Sequence, residues 1–155
     1  LEGTPGTGVR YHVLRPGFVP NVRGLPLVKP PYGRITAIDL TVGEILWQIP
    51  HGDTPEYIRN HPDLQGVDVP TTGGRRLGSG LLVTSTLLFS GEGAGGEPVL
   101  RAYDKRTGEV VHEIPLPGGP TIGFPITYSV DGQQYIVVAA LDEQSVAELV
   151  AFTVQ

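Results

Sequence analysis

Ile35-Thr36-Ala37-Ile38-Asp39-Leu40-Thr41-Val42-Gly43-Glu44-Ile45-Leu46-Trp47-Gln48-Ile49-Pro50 returns downstream as Leu100-Arg101-Ala102-Tyr103-Asp104-Lys105-Arg106-Thr107-Gly108-Glu109-Val110-Val111-His112-Glu113-Ile114-Pro115. Ala, Asp, Gly, Glu, Ile and Pro recur at one constant offset, 102 − 37 = 65, without a gap. Each copy reads as a strand, a tight turn and a second strand. The Asp can accept hydrogen bonds from turn amides, and the Gly can take the positive φ that closes the turn. Self-similarity of this kind marks a repeated supersecondary unit.

Working outward from the two copies, Asp131-Gly132 is a hairpin signal between apolar runs. Short links separate further runs rich in Val, Leu, Ile and Tyr. The pattern predicts strands at 34–40, 44–49, 80–84, 87–92, 99–104, 109–114, 123–130, 134–140 and 147–154. One helical turn is expected over 55–60, stopped by His61-Pro62. The 22 Gly and 15 Pro punctuate these strands and fit sharp turns better than helices.

The fold expected is all-β: four-stranded antiparallel meanders arranged as part of a β-propeller. In fours, the strands give the outer half of one blade (34–49), a full blade (80–114) and an incomplete last blade (123–154). The 65-residue spacing exceeds a common blade of about 40–50 residues, and the excess is an insertion at 50–79. Closed rings need about four blades or more. Two blades and some pieces would leave apolar faces and strand edges uncovered. The expectation is therefore a truncated chain whose remaining blades lie in other polypeptide. The start at Leu1, with no charged-then-apolar leader, agrees with that expectation.

Net charge is −5 with both signs interspersed, and no Lys/Arg block offers a nucleic-acid surface. No apolar run approaches the roughly 20 residues that span a bilayer. Zero cysteines exclude disulfides and thiolate metal sites within the chain.

In an up-and-down meander, alternate connections share one face. The links at 40–44, 84–87, 104–109 and 130–134 are short and share one; the longer links at 50–79, 92–98, 115–122 and 140–146 share the other. Binding groups concentrate on long connections held by a rigid scaffold, so the second face is the expected active face. The longest link carries His51 and His61, which read as loop residues pinned by turn hydrogen bonds; neither belongs to a zinc or calcium ligand pattern. Arg75-Arg76, among Gly73, Gly74 and Gly78, could hold a carboxylate or phosphate bidentately. They are the candidate cofactor-binding residues. Ser79, Ser85 and Ser90 have no neighbouring His and Asp to suggest a hydrolase triad. Trp47 and His112, equivalent in the two copies, read as packing residues between blades.

The pattern Ala37-x-Asp39-x-x-x-Gly43-x-x-x-Trp47 resembles the tryptophan-docking repeat of the quinoprotein dehydrogenases, eight-bladed propellers that carry pyrroloquinoline quinone (PQQ). Pro30-Pro31-Tyr32-Gly33, His51-Gly52-Asp53-Thr54-Pro55, Ile58-Arg59-Asn60-His61-Pro62 and Pro125-Ile126-Thr127-Tyr128 resemble the glucose or sugar dehydrogenase branch. The resemblance runs from about Gly24 to Gln155. It implies a periplasmic enzyme oxidising a sugar or alcohol, with PQQ and Ca²⁺ as cofactors and a cytochrome c or ubiquinone as electron acceptor. In that family the catalytic base and calcium ligands come mainly from earlier blades, so no catalytic or metal-ligating residue is assigned here. PQQ carries three carboxylates, which gives Arg75 and Arg76 an electrostatic task. The alternative reading is a non-catalytic propeller scaffold of the outer-membrane assembly type.

Overall fold

The computed structural model describes residues 20–74, 79–93, 95–142, 144 and 146–153. Strands dominate. A short hairpin, β1 (Asn21–Val22) and β2 (Leu25–Pro26), precedes the first repeat copy. That copy forms a two-stranded antiparallel sheet of β3 (Arg34–Asp39) and β4 (Glu44–Pro50). A second sheet runs in sequence order through β5 (Leu81–Val83), β6 (Leu87–Gly91), β7 (Val99–Asp104) and β8 (Val110–Pro115). The third contains β9 (Ile126–Val130), β10 (Gln133–Leu141) and β11 (Ala147–Thr153), again as a meander.

The two repeat copies fold alike because their turns are chemically alike. The amides of Gly43 and Gly108 donate to the carbonyls of Asp39 and Asp104, at 2.7 and 2.8 Å. Both glycines have φ near +77°, where a side chain is disfavoured. The Asp39 and Asp104 carboxylates accept from the amides two residues on, Thr41 and Arg106. Both hairpins shift register at the same place, between Ala37 and Ile38 and between Ala102 and Tyr103. The sequence identities thus mark a turn and a bulge, two features that need particular residues.

Sheet-on-sheet packing supplies the core. One face of the middle sheet, with Phe89, Leu100 and Ala102, packs on Ile136, Val138, Ala140, Val150 and Phe152 of the third sheet. Its other face, with Leu88 and Tyr103, packs on Ile35, Trp47 and Ile49 of the first. Trp47 also donates its indole N–H to the Lys105 carbonyl, 3.1 Å away in the next sheet's turn.

Equivalent positions at the two ends behave differently. Tyr103 is 3% exposed, whereas its counterpart Ile38 on the first sheet is 51% exposed. Leu100 is fully buried; Leu149 is 79% exposed. Leu149 is its counterpart through a third copy, Leu149-Val150-Ala151-Phe152-Thr153, which aligns with Leu100-Arg101-Ala102-Tyr103-Asp104. The two outermost faces are therefore built as packing faces and lie open. This is a partial propeller.

His112 departs from the expectation of a packed residue and is exposed. Trp47 docks on the turn that follows β7 in the neighbouring sheet. The equivalent turn for His112 would follow Thr153, outside the described residues.

Candidate functional site

The long connection after β4 is folded by backbone crossings near its ends. The His51 amide donates to the Gly33 carbonyl, the Gly74 amide to the His51 carbonyl, and the Tyr32 amide to the Thr72 carbonyl, all within 3.0 Å. Glycine is needed at this crossing, because a Cβ on Gly33 would run into the Gly74 backbone. Within the loop, helix α1 (Glu56–Arg59) starts after Pro55 and is anchored by buried Ile58, and a 3₁₀ turn follows at Pro62–Leu64. The helical turn expected at 55–60 is thus present, ended at His61-Pro62.

Both loop histidines have structural tasks. The Nε2–H of His61 donates to the Arg23 carbonyl at 2.8 Å, tying the β1–β2 hairpin to the loop; its Nδ1 accepts from the Asp63 amide at 3.2 Å. His51 is buried, with Nε2 3.0 Å from the Ser90 hydroxyl oxygen. Ser90, for which no neighbouring His and Asp were expected, thus has a His beside it: β4 and β6 belong to adjacent sheets, so residues 39 apart in sequence meet. Ser90 Oγ lies 3.2 Å from both the Gly80 and Gly91 carbonyls. The Ser90 hydroxyl thus sits among three hydrogen-bonding partners, two carbonyls and the His51 ring.

Arg75 and Arg76 lie outside the described residues. Arg101, on β7, is the prominent guanidinium among those described. It reaches Glu92 through Nη1, Glu113 through Nε at 2.6 Å and Glu97 through Nη2 at 3.4 Å. Burial works against its charge, but the hydrogen bonds of Glu92 and Glu113 outweigh that and hold its pKa above the usual range. Glu92 is 1% exposed. Its side chain sits under Gly52 and Gly96, either of which would strike it if given a Cβ. In the first repeat copy the equivalent cross-strand pair is neutral, Gln48 Nε2 to Thr36 Oγ1 at 2.8 Å. An Arg among Leu100, Ala102 and Tyr103, all buried, was the sequence signal for this network.

Above it opens a cleft of about 910 Å³ between residues 21–32, the start of the loop with α1, and residues 95–97. Its wall includes Tyr32, Asp53, Glu56, Tyr57, Arg59 and Glu97. Arg59 is committed to Asp53 and to the Thr54 carbonyl. Burial pushes the Asp53 carboxyl up, but the Thr54 amide and Arg59 outweigh it and hold the pKa below the usual value. Burial, with a smaller contribution from Tyr57, raises the Tyr32 phenol. Among the described residues, no group of three or more His, Cys, Asp and Glu could hold a metal ion.

The model of the PQQ glucose/ethanol/alcohol dehydrogenase β-propeller domain matches residues 2–136. The chain belongs to this family. It is 35% identical to the glycerol dehydrogenase large subunit of Gluconobacter thailandicus, over 90% of the chain and 18% of that protein. It is 37% identical to a probable quinate dehydrogenase (quinone) of Xanthomonas campestris pv. juglandis, over 90% and 17%. Identity to the quinoprotein glucose dehydrogenase of Escherichia coli is 36%, over 88% and 16%. Among solved structures, the quinohemoprotein alcohol dehydrogenase of Comamonas testosteroni superposes with a TM-score of 0.53 at 25% identity, covering 84% of this chain and 18% of that one. The chain thus spans less than a fifth of the length of these relatives.

Proposed function

We propose that the chain is the C-terminal part of a PQQ-dependent dehydrogenase that oxidises a sugar or an alcohol. The observation that carries this reading is the family match over 2–136, joined to relatives named as dehydrogenases of glycerol, quinate and glucose. The open outer faces at Ile38 and Leu149 support the partial-ring side of it, since each is the counterpart of a residue buried between sheets. On this reading β3–β4 is the outer half of one blade, β5–β8 a whole blade and β9–β11 three strands of the last. The 50–79 insertion lies on the active face. Other blades cover the open faces.

The described residues do not by themselves fit either implied cofactor. PQQ is a tricarboxylate, and the cleft's described charged wall is acidic, with its Arg59 already paired. No described group suits Ca²⁺. The proposal therefore places the calcium ligands and the base in preceding blades, and gives Arg75 and Arg76 a PQQ carboxylate to bind. The resemblance extends it to a periplasmic location and to a cytochrome c or ubiquinone acceptor.

The test uses the full-length protein containing this chain, purified free of PQQ. Dye-linked oxidation of glucose, ethanol and glycerol is measured with and without added PQQ and Ca²⁺. Dye reduction that depends on PQQ is expected. No PQQ-dependent oxidation across the panel would favour the non-catalytic scaffold.

A further inference from the structure

The six buried polar side chains among the described residues, His51, Thr54, Thr72, Ser90, Glu92 and Thr121, all lie at the end of the sheets that carries the long connections. Buried polar groups cost stability unless they are hydrogen-bonded, so an end built from them serves something besides stability. Glu92 is the one carboxylate among the six, and the cleft beside α1 opens above it. We infer that Glu92 is a positioning residue: its one side chain sets two walls of that cleft and, through them, the fit of the compound that is oxidised. The last clause rests on the dehydrogenase proposal; the setting of the walls does not.

One wall starts at Asp53, directly after Gly52, and continues into α1; another is Gly95, Gly96 and Glu97. The Glu92 side chain fills the space beneath both. A Cβ on Gly52 would stand 2.9 Å from its carboxyl group, and a Cβ on Gly96 would strike its own Cβ. Its oxygens are divided between segments. Oε2 accepts from the Glu97 amide at 3.3 Å, and Oε1 accepts from Arg101 Nη1. Arg101 stands on β7 and also reaches Glu113 on β8, so the 95–97 wall is tied through Glu92 to the middle sheet. The other wall is tied close by, because His51, beside Gly52, meets Ser90 two residues before Glu92.

A carboxylate suits this place and an amide does not. Glutamine offers one oxygen where two donors arrive, so it must release either the Glu97 amide or Arg101. Releasing the amide frees the 95–97 wall; releasing Arg101 cuts the side chain off from the sheet. Alanine loses both bonds and the filling beneath Gly52 and Gly96. At 1% exposure, water does not replace the lost bonds easily, and each is stronger than it would be at the surface.

The test reads the width of the cleft and the reaction separately. Spin labels on Glu56→Cys and Glu97→Cys, both exposed positions, report the width in the full-length protein by double electron–electron resonance. Any other cysteine of that protein is first replaced by serine. Glu92→Gln should broaden the distance distribution, and Glu92→Ala should broaden it further and shift its mean. Arg106→Met breaks an ion pair with Asp104 at the opposite end of β7 and should leave the distribution unmoved. In unlabelled protein, Glu92→Gln should raise KM about tenfold and change kcat less, because a misplaced wall weakens binding before it touches the chemistry. Should Glu92→Ala fail to fold, the glutamine variant decides alone. A distribution unmoved by the Glu92 variants, or moved equally by Arg106→Met, would overturn the inference. A moved distribution with KM and kcat unchanged would overturn the positioning role. A moved distribution in a protein without PQQ-dependent oxidation removes the dehydrogenase proposal and leaves the setting of the walls standing.

Discussion

The Trp47 indole on β4 and the Lys105 carbonyl after β7 are joined by a 3.1 Å hydrogen bond across the boundary between two sheets. The same ring lies over Gly108, within 2.8 Å of where a Cβ would stand. Trp47→Phe keeps much of the ring and loses the bond, and should cost about 1 kcal/mol. Trp47→Ala removes the packing as well and should cost about 3 kcal/mol. Urea unfolding of the full-length protein measures both. An unshifted midpoint for the alanine variant would show that the contact contributes nothing.

Gly43 and Gly108 offer a matched pair. Their φ angles are nearly equal, yet a Cβ on Gly43 meets nothing within 4 Å among the described residues. If a preceding blade lays its own side chain on Gly43, as Trp47 lies on Gly108, alanine at either position should cost about 2 kcal/mol or more in the full-length protein. A Gly43→Ala cost of only about 1 kcal/mol, the φ penalty alone, would mean that this turn is uncovered. Paired unfolding curves of the two variants decide it.

What the residues revealed in advance follows from what repeats preserve. The 37-to-102 offset located β3, β4, β7 and β8 because Asp and Gly answer to hydrogen bonds and φ inside one hairpin. The third copy at Leu149–Thr153 escaped notice because Thr153 stands where Asp39 and Asp104 close their turns, leaving only apolar similarity. The β1–β2 hairpin was missed because two-residue strands carry no period. The cleft and the His51–Ser90 contact were hidden for another reason: both join segments from different sheets, and no local pattern encodes that meeting. The Arg101 network went unread as well, although a charge between Leu100 and Ala102 in a strand of apolar residues was the available signal.

That network carries a stability prediction. Arg101→Met deprives buried Glu92 of its guanidinium and should cost about 3–5 kcal/mol. Changing both, Glu92→Leu with Arg101→Met, should cost less than Arg101→Met alone, because no buried carboxylate then remains to be solvated. A double-mutant cycle by urea unfolding tests the ordering. A double variant as unstable as the sum of the single ones would show that the two side chains act independently.

Tyr103 should make the fold sensitive to alkali. Burial against Ile35 and Leu88 raises its phenol pKa, with Arg101 opposing in part. A folded pKa above the unfolded one means a contribution fully present below about pH 10 and lost as pH rises through the folded value. Tyr103→Phe keeps the ring and removes the titration. Its unfolding midpoint should fall less steeply between pH 9.5 and 11 than that of the parent protein, measured by denaturant melts across that window. Parallel pH profiles would show that the phenol ionises as readily in the folded protein as in the unfolded chain.

Arg75 and Arg76 can be tested without turnover. PQQ brings three carboxylates to the protein, and the described wall of the cleft has surplus acid, so cations must be supplied from elsewhere. Two adjacent guanidiniums between glycines can approach a carboxylate closely and bind it through paired N–H groups. Each charge-assisted contact contributes about 1.5–3 kcal/mol, so replacing both by Ala should weaken PQQ binding at least tenfold, read from a fluorescence titration of the full-length protein. Lysine at both positions keeps the charge and loses the fork, and should fall between the two. The loss should shrink at high salt, where the Coulomb part is screened. PQQ binding unchanged in the double-alanine variant would remove the pair from the cofactor site.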